Sequence, residues 1–466
     1  MMVVTPILAM TLGRPRVPWL SHGLSFALVA WASGGGRCQA GPAGWEWEAH
    51  PGYRRAPLSP PSRGREGFTL LSASEIGVTF TNVVKDSRVQ QTQNAMNGSG
   101  VAAGDVNNDG WCDLFFCNKD GSSALFLGTG PSRFRDATAE YGAGCTNQVS
   151  VGAVFADING DGALDLVVSS FGGPHACHVN TGRGGFEDAT VGSGISGTSG
   201  STSLALADLD GDGDLDLYLC NFGVVSILRD GGQIATRMIN GKPTVTGRYA
   251  NRVKIVDGML VEYGDPDVLL WNDGHGRFTP ADWSSTFLDE SGKAVAPPPD
   301  FGLAVQIRDI DGDGLPDIYV CNDFQTPDRL WINQGHGRFK AIESFALRCM
   351  SHASMGVDFA DIDRDGHLDF VTVEMLSRSH AHHVQQSSPM HPVQRSPGRN
   401  DGREDMPRNA LFRNRGDGTF AEIAFFAGVA ATDWSWAPVF LDVDLDGYED
   451  LLISNGHMHD VNFRDA

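Results

Sequence analysis

Six nine-residue segments carry oxygen-bearing side chains at positions 1, 3, 5 and 9, with glycine at position 6. They are Asp105, Asn107, Asp109 and Asp113; Asp157, Asn159, Asp161 and Asp165; and Asp208, Asp210, Asp212 and Asp216. The other three are Asp309, Asp311, Asp313 and Asp317; Asp361, Asp363, Asp365 and Asp369; and Asp442, Asp444, Asp446 and Asp450. Of these 24 side chains, 22 are Asp and two are Asn. Converging carboxylates without a cation repel one another and raise their own pKa values. A full set of hard oxygens suits calcium, which is bound at about 2.3–2.6 Å, better than zinc or copper. Position 7 varies freely through Trp111, Ala163, Asp214, Leu315, His367 and Tyr448. That freedom is expected if only the backbone carbonyl at this position faces the ion, so these residues join the predicted ligand set.

An EF-hand requires a bidentate Glu at position 12 and helices on both sides. Position 12 is instead Phe116, Val168, Leu219, Val320, Thr372 and Ile453. The predicted loop is therefore closed by its ninth residue, inside a β-hairpin. Short apolar runs flank each loop, such as Val151–Ala156 before and Leu166–Val168 after, and runs of this length are strand material. A second element ends in Asn-x-Gly-x-Gly and Phe, as at Asn272–Phe278, Asn333–Phe339 and Asn414–Phe420. Asn and Gly there supply the positive φ that hairpin turns need. Loop starts are spaced 52, 51, 101, 52 and 81 residues apart. Four short strands per unit of about 50 residues predict an all-β chain folded as a β-propeller. Counting the interval of 101 as two units predicts seven blades. The alternative is six, with 222–267 as an insert, and a second insert is predicted at 376–408. A strand within residues 68–82 is expected to complete the last blade.

These loops, together with Asn322–Asn333, Ser354–Asp361 and Asp433–Pro438, resemble the FG-GAP/VCBS repeat proteins, whose fold is the integrin-α-type β-propeller. More narrowly, the chain is similar to bacterial proteins related to cartilage acidic protein and the ASPIC/UnbV group. The resemblance covers roughly residues 68–460 and does not extend to a C-terminal ASPIC/UnbV module. It implies up to six structural calcium ions and says almost nothing about a ligand.

The formal charge is −22, from 57 Asp and Glu against 35 Lys and Arg. That balance argues against nucleic acid and against anionic membrane surfaces. Six doubly charged ions would reduce it to −10. No apolar run reaches the ~18–20 residues of a membrane-spanning helix. Arg14 and Arg16 before a mostly apolar stretch ending in Ala30-Trp31-Ala32 predict a secretory signal over residues 1–32. Residues 33–67, rich in Gly, Pro, Arg and Ser, read as a linker. The expected location is secreted, periplasmic or cell-surface.

Of eight cysteines, Cys117, Cys220 and Cys321 recur at one strand position and are expected to be buried and unpaired. Cys145 with Cys177, or Cys349, remain candidates for pairing. His380, His382, His383 and His391 crowd the second insert, read as a solvated loop over a transition-metal site. His457, His459 and Asp460 pose the same alternatives. Trp434 and Trp436 are expected to pack between blades, with a sugar platform as the other reading. Asn97-Gly98-Ser99 is a glycan acceptor only in a eukaryotic secretory route.

No nucleophile elbow, phosphate-cradling loop or dinucleotide fingerprint is present. Two functions are therefore weighed. The first is a non-enzymatic extracytoplasmic scaffold that binds protein or glycan through its inserts. The second is a propeller enzyme, such as a polysaccharide lyase, hydrolase or dehydrogenase, with its site at a central channel. Convergent His, Arg and carboxylates outside the loops would favour the second.

Overall fold

Every Asp-rich loop is the tip of an antiparallel hairpin. In this computed structural model, which describes residues 48–50, 53–55 and 68–456 apart from 90–92, 196, 225–226, 228–231, 257, 324–325 and 382–402, the hairpins recur in chain order. They pair Val101–Gly104 with Asp113–Phe116, Ser150–Ala156 with Asp165–Ser170, and Ser201–Ala207 with Asp216–Asn221. Next come Gly302–Arg308 with Asp317–Asn322, Gly356–Ala360 with Asp369–Val373, and Ser435–Leu441 with Asp450–Asn455. The first five hairpins continue into a third and a fourth strand in the antiparallel order 1-2-3-4, and in the fourth sheet Phe287–Leu288 adds a parallel edge strand beside Phe339–Ala341. The third strands are Ala124–Gly130, Ala176–Asn180, Val268–Asn272, Arg329–Asn333 and Ala410–Asn414. The sixth sheet has two described strands.

Both faces of the second to fifth sheets are covered by their neighbours, which explains their sequence. One apolar core lies between each successive pair of sheets, and the strand after the loop feeds two cores at once. Tyr218 and Cys220 of the third sheet pack towards Ile318 and Val320 of the fourth, while Leu217 and Leu219 pack back towards Val167 and Cys177 of the second. Tyr319 and Cys321 then meet Phe370 and Phe412 of the fifth. A strand buried on both sides loses the polar alternation of a half-buried one, and Asp216–Asn221 and Asp317–Asn322 are buried throughout. The sixth sheet receives the last core on one side through Trp436, Phe440, Leu451 and Ile453. Trp436 thus packs between sheets, as expected. Cys117, Cys220 and Cys321 are buried and free; Cys177 is likewise buried, Cys145 and Cys349 are half-buried, and none of these three is paired.

Three expectations need correction or fall outside what is described. The interval of 101 residues is one sheet and not two, because Leu217 pairs directly with Leu270 and Leu219 with Val268 across residues 222–267. Those intervening residues form two hairpins of their own, Ala235–Ile239 with Lys242–Thr246 and Val253–Val256 with Met259–Glu262. The described residues therefore hold six repeat sheets, the count that goes with 222–267 as an insert. Residues 68–82 contribute no strand to the sixth sheet. Ser72 and Glu75 form a reciprocal capping box around the turn Ala73–Ile76, which ends on left-handed Gly77. Phe80 then stacks on Phe116 of the first sheet at 5.1 Å. The predicted signal, most of the linker, His382, His383, His391, His457, His459 and Asp460 lie outside the described residues.

Strands alternate in direction, so the Asp-rich loops emerge at the same end as the turns from third to fourth strand, which read Asn-x-Gly-x-Gly in the second to fifth sheets. Connections from second to third strand emerge at the other end. Both inserts are connections of this second kind.

Candidate metal centres

The loops are folded by their own carboxylates. In each, the position-1 Asp accepts the N–H of the position-6 glycine, from Gly110 on Asp105 at 2.8 Å to Gly447 on Asp442 at 2.8 Å. Gly162, Gly213, Gly314 and Gly366 do the same at 2.8, 3.1, 2.9 and 2.9 Å. These glycines have φ between 86° and 99°, the left-handed conformation in which a side chain is strained. The position-5 Asp accepts the N–H of position 7, as Asp313 does from Leu315 at 2.8 Å and Asp365 from His367 at 3.0 Å. That contact uses only the backbone of position 7, which explains why Trp111, Ala163, Asp214, Leu315, His367 and Tyr448 are interchangeable there.

The position-9 Asp joins loop to sheet. One oxygen accepts the N–H of position 2: Val106 to Asp113 at 2.8 Å, Ile310 to Asp317 at 2.8 Å, Val443 to Asp450 at 3.1 Å. The other accepts an N–H from the third strand: Gly128, Asn180, Asn272, Asn333 and Asn414, at 2.7 to 3.0 Å. Asp113, Asp165, Asp216, Asp317 and Asp369 are consequently almost wholly buried. Burial pushes Asp216 and Asp317 up to about 7 and Asp113, Asp165 and Asp369 up to about 6, against the opposing pull of these hydrogen bonds. Neighbouring loop carboxylates push in the same direction.

Carboxylate oxygens come within 4.8 Å of one another in four loops: Asp208, Asp210 and Asp216; Asp309, Asp311 and Asp317; Asp361, Asp363 and Asp365; Asp442, Asp444 and Asp450. Like charges at such range are held together at a cost that a divalent cation would remove. The donor set fits calcium: all oxygen, on a short loop already shaped by its backbone. The first two loops place Asn107 and Asn159 at position 3, where an amide oxygen accepts the position-5 N–H just as a carboxylate does. In the fifth loop Arg413 pairs with Asp363 and lies 3.7 Å from Asp365. A guanidinium there supplies part of the positive charge an ion would bring.

The sequence did not reveal a bridge between neighbouring loops. The Asn that closes the third strand of the second to fifth sheets, read as a turn residue, donates Nδ2 to the position-2 carbonyl of the preceding loop. Asn180 reaches Val106 at 2.8 Å, Asn272 Ile158 at 2.9 Å, Asn333 Leu209 at 3.1 Å and Asn414 Ile310 at 3.1 Å. Each also donates to the position-8 carbonyl of its own loop. Its fixed place two residues before the first turn glycine was the available signal.

Two wholly buried carboxylates outside the loops are occupied internally. Asp267 accepts from Tyr218 Oη and the Asn221 N–H, and Asp328 from Tyr319 Oη, Ser354 Oγ and the Asn322 N–H. Burial raises both to about 7 and raises Glu374 to about 8.

A family model for the FG-GAP-like repeat matches residues 105–168, 157–219, 309–372 and 399–453, together half of the chain. The first three matches span whole loop-to-loop units and the fourth ends in the last hairpin. Cartilage acidic protein 1 of Homo sapiens is 34% identical over 82 residues, 18% of this chain and 12% of that protein. Its Xenopus tropicalis counterpart is 35% identical over 78 residues, 17% of this chain and 12% of that protein. The chain thus matches about an eighth of the length of these relatives. Among solved structures, an Agrocybe aegerita lectin that recognises non-reducing terminal N-acetylglucosamine overlaps 68% of this chain and 63% of its own, at 16% identity and a TM-score of 0.35. A Bacillus licheniformis rhamnogalacturonan lyase overlaps 77% of this chain and 73% of its own, at 13% identity and a TM-score of 0.30. Overlaps this loose carry no functional argument.

Proposed function

The chain belongs to the FG-GAP-like repeat family, and from that premise we propose a non-catalytic, extracytoplasmic β-propeller in which calcium braces a scaffold that binds protein or carbohydrate. The observation that carries this reading is the separation of the two ends of the sheets. Six loops with one hydrogen-bonding pattern occupy one end, and the chain leaves for both long inserts from the other. Asp at positions 1, 3, 5 and 9, with Asn at position 3 of the first two loops and the position-7 carbonyls, would hold one calcium per loop. The ion would offset carboxylate repulsion and tie each hairpin tip to its sheet. Its role is structural, so it stabilises the folded chain by binding that state alone.

A ring is supported by the turn Ala73–Ile76. A Cβ at Gly77 would meet the Phe134 carbonyl of the first sheet at 2.1 Å, and a Cβ at Gly194 would meet the Phe278 carbonyl of the third at 2.2 Å. Residues 72–77 therefore stand before the first sheet as the tail of the second stands before the third. That is the place a neighbouring blade would fill. Recognition belongs to the inserts, because loops on a rigid scaffold vary without disturbing it. No helix among the described residues is long and apolar enough to cross a membrane.

The test couples calcium counting to thermal melts with and without EGTA, followed by glycan and protein arrays probed with calcium present. Four or more bound ions and a melt lowered by chelation are expected. A melt indifferent to EGTA removes the calcium role, and empty arrays remove the binding role.

A further inference from the structure

Over residues 222–267 the first insert carries six cations against five carboxylates, and five of those cations fall in its middle stretch. From Gln233 to Val256 the sequence has five cations, Arg237, Lys242, Arg248, Arg252 and Lys254, and no Asp or Glu, in a chain of formal charge −22. One of the five is structural. Arg252 lies 3.2 Å from Asp265 and 3.8 Å from Glu262, and its Nε donates to the Tyr263 carbonyl at 2.6 Å, which ties the second hairpin to the insert's returning segment. The other four are exposed. They stand on a small body with its own core, in which Ile227, Val245 and Val253 are buried under Ile234, Tyr249 and Ile255. The charges are therefore held on a folded surface.

Their placement follows from strand register. Arg237 pairs with Thr244 and Ile239 with Lys242, so Arg237 and Lys242 project from the same face of the first hairpin. Arg248 lies over the Tyr249 ring at 4.4 Å, and Lys254 over the Tyr263 ring at 4.9 Å. Two of the four cations thus come with an aromatic face. The insert leaves the end of the sheets opposite the Asp-rich loops, so the loops do not neutralise it.

We propose that the hairpin pair Ala235–Ile239/Lys242–Thr246 and Val253–Val256/Met259–Glu262 is a binding surface for an acidic polysaccharide, which rests on the scaffold reading above and names its ligand class. Spaced cations beside tyrosine rings match spaced carboxylates or sulfates on a chain of sugar rings. A planar anionic membrane would approach the whole sheet end and meet the acidic body within a Debye length of about 8 Å. Duplex nucleic acid, with one charge per ~1.7 Å, would be repelled harder still. A single narrow polymer can lie along the hairpins and leave the rest of the molecule untouched.

The experiment uses the calcium-loaded full chain on surfaces of carboxymethyl dextran and of unmodified dextran, which differ only in the carboxylates. Retention on the first at ~50 mM salt, lost by ~0.5 M, is expected, with none on the second. R237E/K242E should lower affinity about tenfold or more, with the melting temperature unchanged because both side chains are exposed. Equal binding by that variant overturns the proposal, and so does retention on plain dextran. Stronger binding to phosphatidylserine vesicles or to duplex DNA overturns the ligand class. A protein that melts with calcium and finds another partner on the arrays, yet ignores carboxymethyl dextran, removes this inference and leaves the scaffold reading standing.

Discussion

Asn333→Ala is the sharpest probe of how the loops depend on one another. Asn333 is 2% exposed. Its Nδ2 donates to Leu209 O at 3.1 Å in the preceding loop and to Pro316 O at 3.0 Å in its own, and its Oδ1 accepts the Gly335 N–H at 2.8 Å. Alanine deletes three hydrogen bonds and leaves two carbonyls and one amide without these partners. At about 1 kcal/mol for each bond, and somewhat more where the orphaned group is buried, the loss is about 3–4 kcal/mol. With ~400 ordered residues and an unfolding entropy of about 2.1 cal/mol/K per residue, that corresponds to a drop of about 4 °C in Tm. Calorimetry at saturating calcium measures the drop, and isothermal titration of the calcium-stripped protein measures ion binding. Because Leu209 sits inside the 208–216 loop and Pro316 inside the 309–317 loop, affinity should fall at two sites and not one. Gln334→Ala, one residue further along and exposed, should stay within about 0.5 kcal/mol of the parent. A Tm change below ~1 °C, or a calcium defect confined to one loop, would refute the bridge.

Asp317→Asn keeps the size of a wholly buried side chain but turns one oxygen into a donor facing the Ile310 N–H. Calcium counting should find one ion fewer, and the stability gap from the parent should narrow in EGTA, where the parent bears unneutralised carboxylates. Glu374 is raised to about 8 from 4.5, with burial the main cause. Protonated Glu374 therefore favours the folded state, and that contribution is present below about pH 4.5 and is lost as pH rises through about 8. Glu374→Gln should flatten the fall in Tm between pH 5 and pH 8 at saturating calcium, as melts across that range would show. Arg413→Ala frees Asp363 and Asp365, so calcium should bind the 361–369 loop more tightly, by several-fold in a titration.

The loops and their hairpins were legible because a nine-residue turn allows few solutions. Position 6 must reach positive φ, position 9 must open the next strand, and only the backbone of position 7 is used. Residue spacing misled where it stood in for pairing. The interval of 101 matched two units in length, whereas the register of Leu217 on Leu270 makes it one sheet with a detour. The helical turn after Phe68 was written in Ser72-x-x-Glu75, a capping box that outweighed an apolar run resembling a strand. The bridging Asn residues were visible as a fixed position but not as partners, since their acceptors lie 74 to 124 residues away.

That long-range bridge explains why the inserts sit where they do. An insertion between first and second strands would break the nine-residue spacing, and one between third and fourth would move the bridging Asn from the preceding loop. The connection from second to third strand carries neither constraint. Lengthening it from residues 171–175 in the second sheet to 222–267 in the third is about a ninefold increase. Loop-closure entropy rises only with the logarithm of length, so the detour costs about 2 kcal/mol. The small core of Ile227, Val245 and Val253 offsets that cost by burying apolar surface of its own. Recognition elements of this size can therefore be carried at one end of the sheets while the ion loops at the other end keep their geometry.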